Sequence, residues 1–414
     1  MNKTIIATLV CCLCALFSTV AIAHPVVKTG IEVLAMQDFA PLAGKRVGLI
    51  TNPTGVDSQL RSTIDILHEA SNVKLVALFA PEHGVRGNVY AGDKVNNATD
   101  SKTGLPIHSL YGKSRKPSAS MLKGIDVLVY DIQDIGCRSY TFISTMGLAM
   151  QAAAENNVEF MVLDRPNPLG GYRVEGCPVE DGYTSFVSQY PIPYIYGLTC
   201  GELAQLLNGE GLIGEKQCKL TVIAMEGWQR SMDFDETGLP WVLTSPNIPE
   251  AKSVYFYPLS GIVGELSVLS IGVGYTLPFQ LFAAPWIDAE KLAQRLNALN
   301  LPGLAFRPIY YKPYFALHAG QLIQGVQVHI TNRDRATLSE VQFYVLQELA
   351  ALYPNHKVFE EVEQSRLKMF DKVCGTNKIR ELFTKRYRWE DAREQWNKGV
   401  GAFKQKSKKY YIYL

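Results

Sequence analysis

The sequence predicts an α/β fold of Rossmann-like type, a parallel sheet with helices on its faces, on three observations from its first half. Short apolar runs alternate with helix-like stretches, each run stops abruptly in polar and turn-forming residues, and the pattern repeats four times. Lys45–Ile50 ends in Thr51-Asn52-Pro53, and Lys74–Phe79 ends in the loop Pro81-Glu82-His83-Gly84. Ile125–Tyr130 ends in Asp131-Ile132-Gln133-Asp134, and Val158–Leu163 ends in Asp164-Arg165-Pro166-Asn167. Between these runs, Ser58–Ala70 sets Leu60, Ile64 and Leu67 on one side, and Thr141–Asn156 is rich in Ala, Met and Leu. Strand–helix alternation calls for parallel strands joined by crossovers. Such strands carry all four polar endings to one rim, the edge at which open α/β sheets bind ligands. The first strand is not followed by a GxGxxG turn, so no dinucleotide cofactor is expected.

The later elements follow from the same signals. Gly201–Gly209 reads as a helix and Leu220–Met225 as another strand. Trp228–Trp241 is a long polar loop with three large aromatics, a composition that favours an ordered, functional loop. Thr244-Ser245-Pro246-Asn247-Ile248-Pro249-Glu250 is the best candidate for a domain boundary, which divides the chain into residues 24–252 and 253–414. Beyond it, Gly261–Gly274 alternates Gly with β-branched residues and Gln324–Thr331 alternates apolar with polar as a strand does. Leu338–Tyr353 and Asp391–Tyr410 read as helices, the latter with a lysine run, Lys404–Lys409, taken as a solvated face.

Residues 1–23 have the grammar of a secretory leader. A charge at Lys3 precedes the apolar stretch Thr4–Val20, and Ala21-Ile22-Ala23 fits a small-residue cleavage site before His24. The expectation is therefore an exported protein, periplasmic or secreted, without a stable membrane anchor. With 41 basic against 39 acidic residues, nothing points to nucleic acid or an anionic membrane surface. Cys137, Cys177, Cys200, Cys218 and Cys374 are odd in number, widely spaced and free of CxxC pairs. They read mostly as buried apolar thiols, not as a disulfide framework or a zinc site.

The segment Pro81-Glu82-His83-Gly84-Val85-Arg86-Gly87 carries the chemistry. A carboxylate, an imidazole and a guanidinium at the end of a buried strand suit acid/base work on an anionic or polyhydroxylated substrate; the plainer reading is a strand end closed by an ion pair. A metal-dependent hydrolase built on Asp131, Asp134, Asp164 and His83 is a weaker alternative, since the seven histidines form no HxH or HxxxH pair.

Taken together, six motifs resemble the exo-β-N-acetylmuramidase family (NamZ), bacterial glycosidases acting on terminal N-acetylmuramic acid of peptidoglycan fragments. They are Gly48-Leu49-Ile50-Thr51-Asn52-Pro53-Thr54-Gly55, Pro81–Gly87, Asp131–Arg138, Leu163–Pro168, Asp235–Trp241 and Ser245-Pro246-Asn247. The resemblance runs from about Gly30 to the C-terminus. It implies a smaller α+β C-terminal domain closing over the Rossmann-like one, an active-site cleft between them, and Glu82 as the catalytic glutamate.

On that basis Glu82 is assigned the acid, with His83 as alternative donor or orienting group, and Asp134 or Glu265 as the second catalytic group. The substrate's own N-acetyl group, polarised by a carboxylate, is an alternative nucleophile. Arg86, Arg138 and Arg165 are candidates for a lactyl carboxylate, each with a structural ion pair as the competing reading. Asn52, Gln133, Tyr140, Asp164, Asn167, Ser245 and Asn247 complete the expected binding set, Asn167 doubling as a turn former. The sequence departs from the family pattern at Ile195-Tyr196, Val268, Val273 and Gln280. Those departures leave a divergent paralogue that binds cell-wall sugars as the alternative to an active muramidase.

Overall fold

The computed structural model describes residues 27–87, 98–112 and 114–414, so the expected leader lies outside the described residues. Seven strands form the main sheet in the order β3-β4-β2-β1-β5-β6-β7. They are β1 (Arg46–Thr51), β2 (Lys74–Ala80), β3 (Ala98–Thr99), β4 (Pro106–Ser109), β5 (Val127–Asp131), β6 (Glu159–Leu163) and β7 (Leu220–Ile223). All neighbouring pairs are parallel except β3–β4. Side chains alternate between the two faces. Val47, Leu49, Val127 and Val129 meet Ile31, Leu34, Ile64 and Leu67 on one side, whereas Ile50, Leu128 and Tyr130 face Met146 and Met150 on the other.

That second core continues without a break into the C-terminal part. There β8 (Leu281–Ala284), β9 (Leu304–Tyr311) and β10 (Ile323–Ile330) form a three-stranded antiparallel sheet, packed with helices Ala289–Ala298 and Val341–Leu352. Trp396 packs on Tyr194 at 5.8 Å, and Trp389 stacks on Phe343 at 4.2 Å. The chain end then returns to the first sheet. The Tyr413 hydroxyl donates to Asp164 Oδ2 at 2.6 Å, and Arg230 N donates to the Leu414 carbonyl at 3.0 Å.

Two helices depart from expectation. The one expected over Ser58–Ala70 begins only at Thr63, capped by Ser62. Asp57 Oδ1 accepts from the backbone of Gln59 and Arg61, a turn that places Leu60 at φ 64 and leaves it exposed, not on the apolar face. The terminal helix expected over Asp391–Tyr410 is two, Glu390–Asn397 and Val400–Ser407, broken where Gly399 takes φ 82 beside Pro178. The lysine run lies exposed, with Lys406 and Lys409 paired to Glu210. All five described cysteines are buried free thiols.

Arg138 ties the two parts together. Its guanidinium is buried and donates to the carbonyls of Cys177 (2.7 Å), Ile192 (2.6 Å) and Val373 (2.8 Å). Arg138→Met keeps the packing but strands three buried acceptors. We expect a loss of about 3 kcal/mol or more in urea unfolding, with no change in the circular dichroism of the folded state.

Candidate active site

Strand β2 delivers its last apolar residue, Ala80, to the rim and the chain then turns. Gly84 N donates to the Pro81 carbonyl at 3.1 Å, and His83 adopts the left-handed region at φ 72, buried against the turn. A non-glycine residue held there marks a conformation that the surroundings enforce. The same turn leaves Glu82 half-buried. Thr141, at the amino end of helix Phe142–Glu155, donates to Glu82 Oε2 at 3.0 Å, and the Tyr111 hydroxyl is a second donor to this carboxyl. Burial and the Glu82 charge together push the Tyr111 hydroxyl pKa up, so it stays a donor.

The turn after β5 holds the second carboxyl. Asp134 is buried, and its Oδ1 accepts from the Tyr196 hydroxyl at 2.6 Å and from Gly136 N at 2.8 Å. Its Oδ2 has no hydrogen-bond partner among the described residues. Desolvation raises its pKa from 3.8 to about 6, although Tyr196 and two backbone amides oppose the shift. Asn52, after β1, spends its Oδ1 on the amide and hydroxyl of Thr54, while its Nδ2 is buried and unpaired.

The boundary loop and the helix that follows it pack against Tyr140. The buried Tyr140 hydroxyl donates to Thr244 Oγ1 at 2.8 Å, with Ser245 a further partner. Asn247 N donates to Ser245 Oγ at 3.3 Å, which shapes this half-buried turn. Tyr257 crosses edge-on to Tyr140 at 5.6 Å and meets Ser139 Oγ at 3.1 Å. Glu265, at the end of helix Tyr257–Gly264, acts electrostatically on Tyr257; burial raises its carboxyl pKa, offset in part by Arg366. Tyr140 in turn feels the charges of both Asp134 and Glu82. Tyr140 thus joins Thr244 of the boundary loop to Tyr257 of the following helix.

Other expected binders are spent on the scaffold. Arg165 makes a two-pronged pair with Asp131 at 2.5 and 3.0 Å and caps the Val56 carbonyl, all but out of solvent. Arg138 is consumed by the three carbonyls described above. Arg86 is engaged by Asp100 at 2.8 and 2.9 Å and by Asp65, with a third of its side chain exposed. Asp164 takes four donors, from Tyr413, Thr199, Gly201 and Arg165, and burial still lifts it to about 6. Asn167 closes a turn onto Leu169 N and the Leu198 carbonyl beneath Gly136, and Gln133 Nε2 serves the Asp134 and Pro166 carbonyls. The polar groups of Arg165, Asp164 and Asn167 are buried and paired within the protein, whereas Arg138 spends its two terminal nitrogens on carbonyls and keeps a buried Nε without a partner among the described residues. No group of three metal-ligating side chains occurs among the described residues.

Thr141, Tyr111, Ser139 and Tyr257 were not expected at the site. Thr141 adjoins the Asp131–Arg138 motif and was within reach of the sequence. Tyr111 and Tyr257 sit in segments without any motif, so only the fold brings them in.

Residues 47–252 match the N-terminal and residues 255–413 the C-terminal profile of the exo-beta-N-acetylmuramidase NamZ. The chain belongs to the NamZ family. It is 46% identical over 389 residues to the peptidoglycan beta-N-acetylmuramidase NamZ of Bacillus subtilis (strain 168), covering 94% of this chain and 92% of that protein. Two crystal structures of DUF1343 family proteins from Bacteroides fragilis are similar. One has a TM-score of 0.91 at 62% identity and the other 0.72 at 31%, each covering 94% of this chain and 99% of its own.

Against the NamZ pattern, the departures acquire a physical reading. The Tyr196 hydroxyl restrains Asp134 through its 2.6 Å bond. Ile195 pairs across to Cys137 and Glu175 inside the core. Val268 and Val273 pack as half-buried apolar residues, and Gln280 meets Gln327 at 3.4 Å.

A group whose folded pKa exceeds its unfolded value stabilises the fold in acid, and that contribution disappears as pH rises through the folded pKa. For Asp134 the window runs from 3.8 to about 6. Asp134→Asn keeps the Oδ1 acceptor, so melting temperature measured against pH should fall less steeply across this window than in the wild type. Tyr196→Phe should instead move the Asp134 titration, followed by carbon-13 NMR, to higher pH.

Proposed function

We propose that this chain is an exo-acting glycosidase that releases terminal β-linked N-acetylmuramic acid from peptidoglycan fragments during cell-wall turnover or recycling. The observation that carries the reading is the Glu82 turn, at the carboxyl rim of a sheet inside a chain that matches NamZ over both halves. The activity named for the Bacillus relative, at 46% identity over nearly the whole length, supplies the substrate class. Saccharides or muropeptides ending in N-acetylmuramic acid are its partners. The apolar leader pattern in residues 1–23 supports a periplasmic or secreted site of action. No described helix is long and apolar enough to cross a membrane.

Glycosidic cleavage needs a proton for the leaving oxygen and a group that handles the oxocarbenium-like centre. Glu82 is assigned the proton transfer. It stands half-buried at the rim, and the Thr141 and Tyr111 hydroxyls orient its carboxyl. Asp134 is assigned the second group, because one of its oxygens is buried and unengaged. Glu265, half-buried at the end of helix Tyr257–Gly264, is the alternative for that second group.

Hydrolysis of a chromogenic β-N-acetylmuramide tests the proposal, with the β-N-acetylglucosaminide run beside it. Glu82→Gln, which retains an acceptor for Thr141 and Tyr111, should lower kcat by about a hundredfold or more at unchanged melting temperature. Release from the glucosaminide alone would overturn the muramyl preference. Binding without release from either glycoside would favour the sugar-binding paralogue.

A further inference from the structure

Two buried polar atoms at the rim stand out because they are opposite in kind. Asn52 Nδ2 is a donor and Asp134 Oδ2 an acceptor, and each lacks a partner among the described residues. Both side chains are more than nine-tenths buried, Asn52 at 3% and Asp134 at 4% exposure. Leaving such atoms unpaired costs about 1–3 kcal/mol each, so the pair calls for an explanation.

Their placement is fixed by the fold. β1 and β5 are neighbours, with Thr51 opposite Asp131, so the turns that follow them adjoin. Thr54 stitches the turns together: it gives its amide and hydroxyl to Asn52 Oδ1, while its Oγ1 accepts from Gln133 N at 2.9 Å. On the other side, Tyr196 and Gly136 occupy Asp134 Oδ1. In both side chains, the inner atom is committed to the scaffold and the outer one is left over. The ligand that matches presents one acceptor and one donor. A secondary amide does so with both groups held in one rigid plane, and the 2-acetamido group is the secondary amide of the substrate sugar.

We infer that Asn52 Nδ2 and Asp134 Oδ2 form a clamp for the 2-acetamido group of the substrate sugar, Asn52 donating to its carbonyl oxygen and Asp134 accepting from its N–H. The inference rests on the muramidase reading for the identity of the sugar and adds the residues that recognise its amide. Thr54, Tyr196 and Gly136 are positioning groups, because they act by holding the inner atoms of the clamp. The clamp also restrains the acetamido plane beside the scissile bond, with Asp134 on the amide nitrogen. Clamped in this way, an amide is oriented and its carbonyl oxygen is made more electron-rich by the carboxylate.

The test uses the mature protein at pH 7.5, above the range in which Asp134 takes up a proton. Calorimetry compares binding of N-acetylmuramic acid with that of 3-O-lactylglucose, its 2-hydroxy counterpart, and hydrolysis of the chromogenic muramide is followed in parallel. The wild type should prefer the acetamido sugar by about a hundredfold or more. Asn52→Asp keeps the bonds to Thr54 and turns the outer atom into an acceptor. Asp134→Asn keeps the bonds from Tyr196 and Gly136 and turns the outer atom into a donor. Each should cut the preference at least tenfold while binding 3-O-lactylglucose within about threefold of wild type, with melting temperatures showing that both fold. A preference that survives both variants, or equal loss for both sugars, overturns the clamp even if the enzyme cleaves the muramide. A preference lost in the variants of a protein that cleaves nothing supports the clamp and overturns the hydrolase reading alone.

Discussion

Parallel pairing of four buried strands is the constraint on which the rest of the molecule depends. Hydrogen bonding sets β1 against β2 and β5, and β5 against β6, so Ile50 lies opposite Phe79, Thr51 opposite Asp131, and Tyr130 opposite Val162. Strands buried on both faces end where their apolar residues end. The polar residues that follow are therefore crowded along one line, at a spacing of about 4.8 Å between strands.

Crowding of that kind must be resolved by pairing, and the way each group is paired sorts structure from chemistry. Asp131 is neutralised by Arg165, with Thr63 as a further donor. Asp164 is saturated by four donors, one of them from the chain end, and so locks β6 to helix Cys200–Gly209 and to Tyr413. Glu82 and Asp134 have a different environment. Hydroxyl and amide groups donate to them, and Asp134 keeps one oxygen without a partner among the described residues. Ion pairing spends a charge on stability, whereas hydroxyl bonding orients a charge and leaves its reactivity in place.

The C-terminal part meets this region at Tyr140. Tyr257 packs edge-on against Tyr140, and an aromatic core runs from Tyr194 to Trp396 and Phe343. Arg138, buried among carbonyls from both parts, reinforces the junction.

The sequence by itself determined the layered α/β class, the four strand endings, and Glu82 with Asp134 as carboxyls of interest, because short apolar runs and abrupt turn chemistry are local properties of the chain. It could not decide among Arg86, Arg138 and Arg165, since whether a guanidinium meets a ligand, a carboxylate or a row of carbonyls depends on partners far along the chain. Val373 serves Arg138 and Tyr413 serves Asp164 across more than 200 residues. The same holds for Tyr111 and Tyr257, which carry no motif and enter the site through strand order and helix placement alone. Even the local misjudgements have this origin. Leu60 was expected inside on helical spacing, but Asp57 offered the backbone a turn that competed with the helix, and Gly399 broke a helix where Pro178 packs against it. Tertiary structure alone decided which polar groups are paired and which remain available, because pairing is settled by long-range geometry and desolvation, not by residue type.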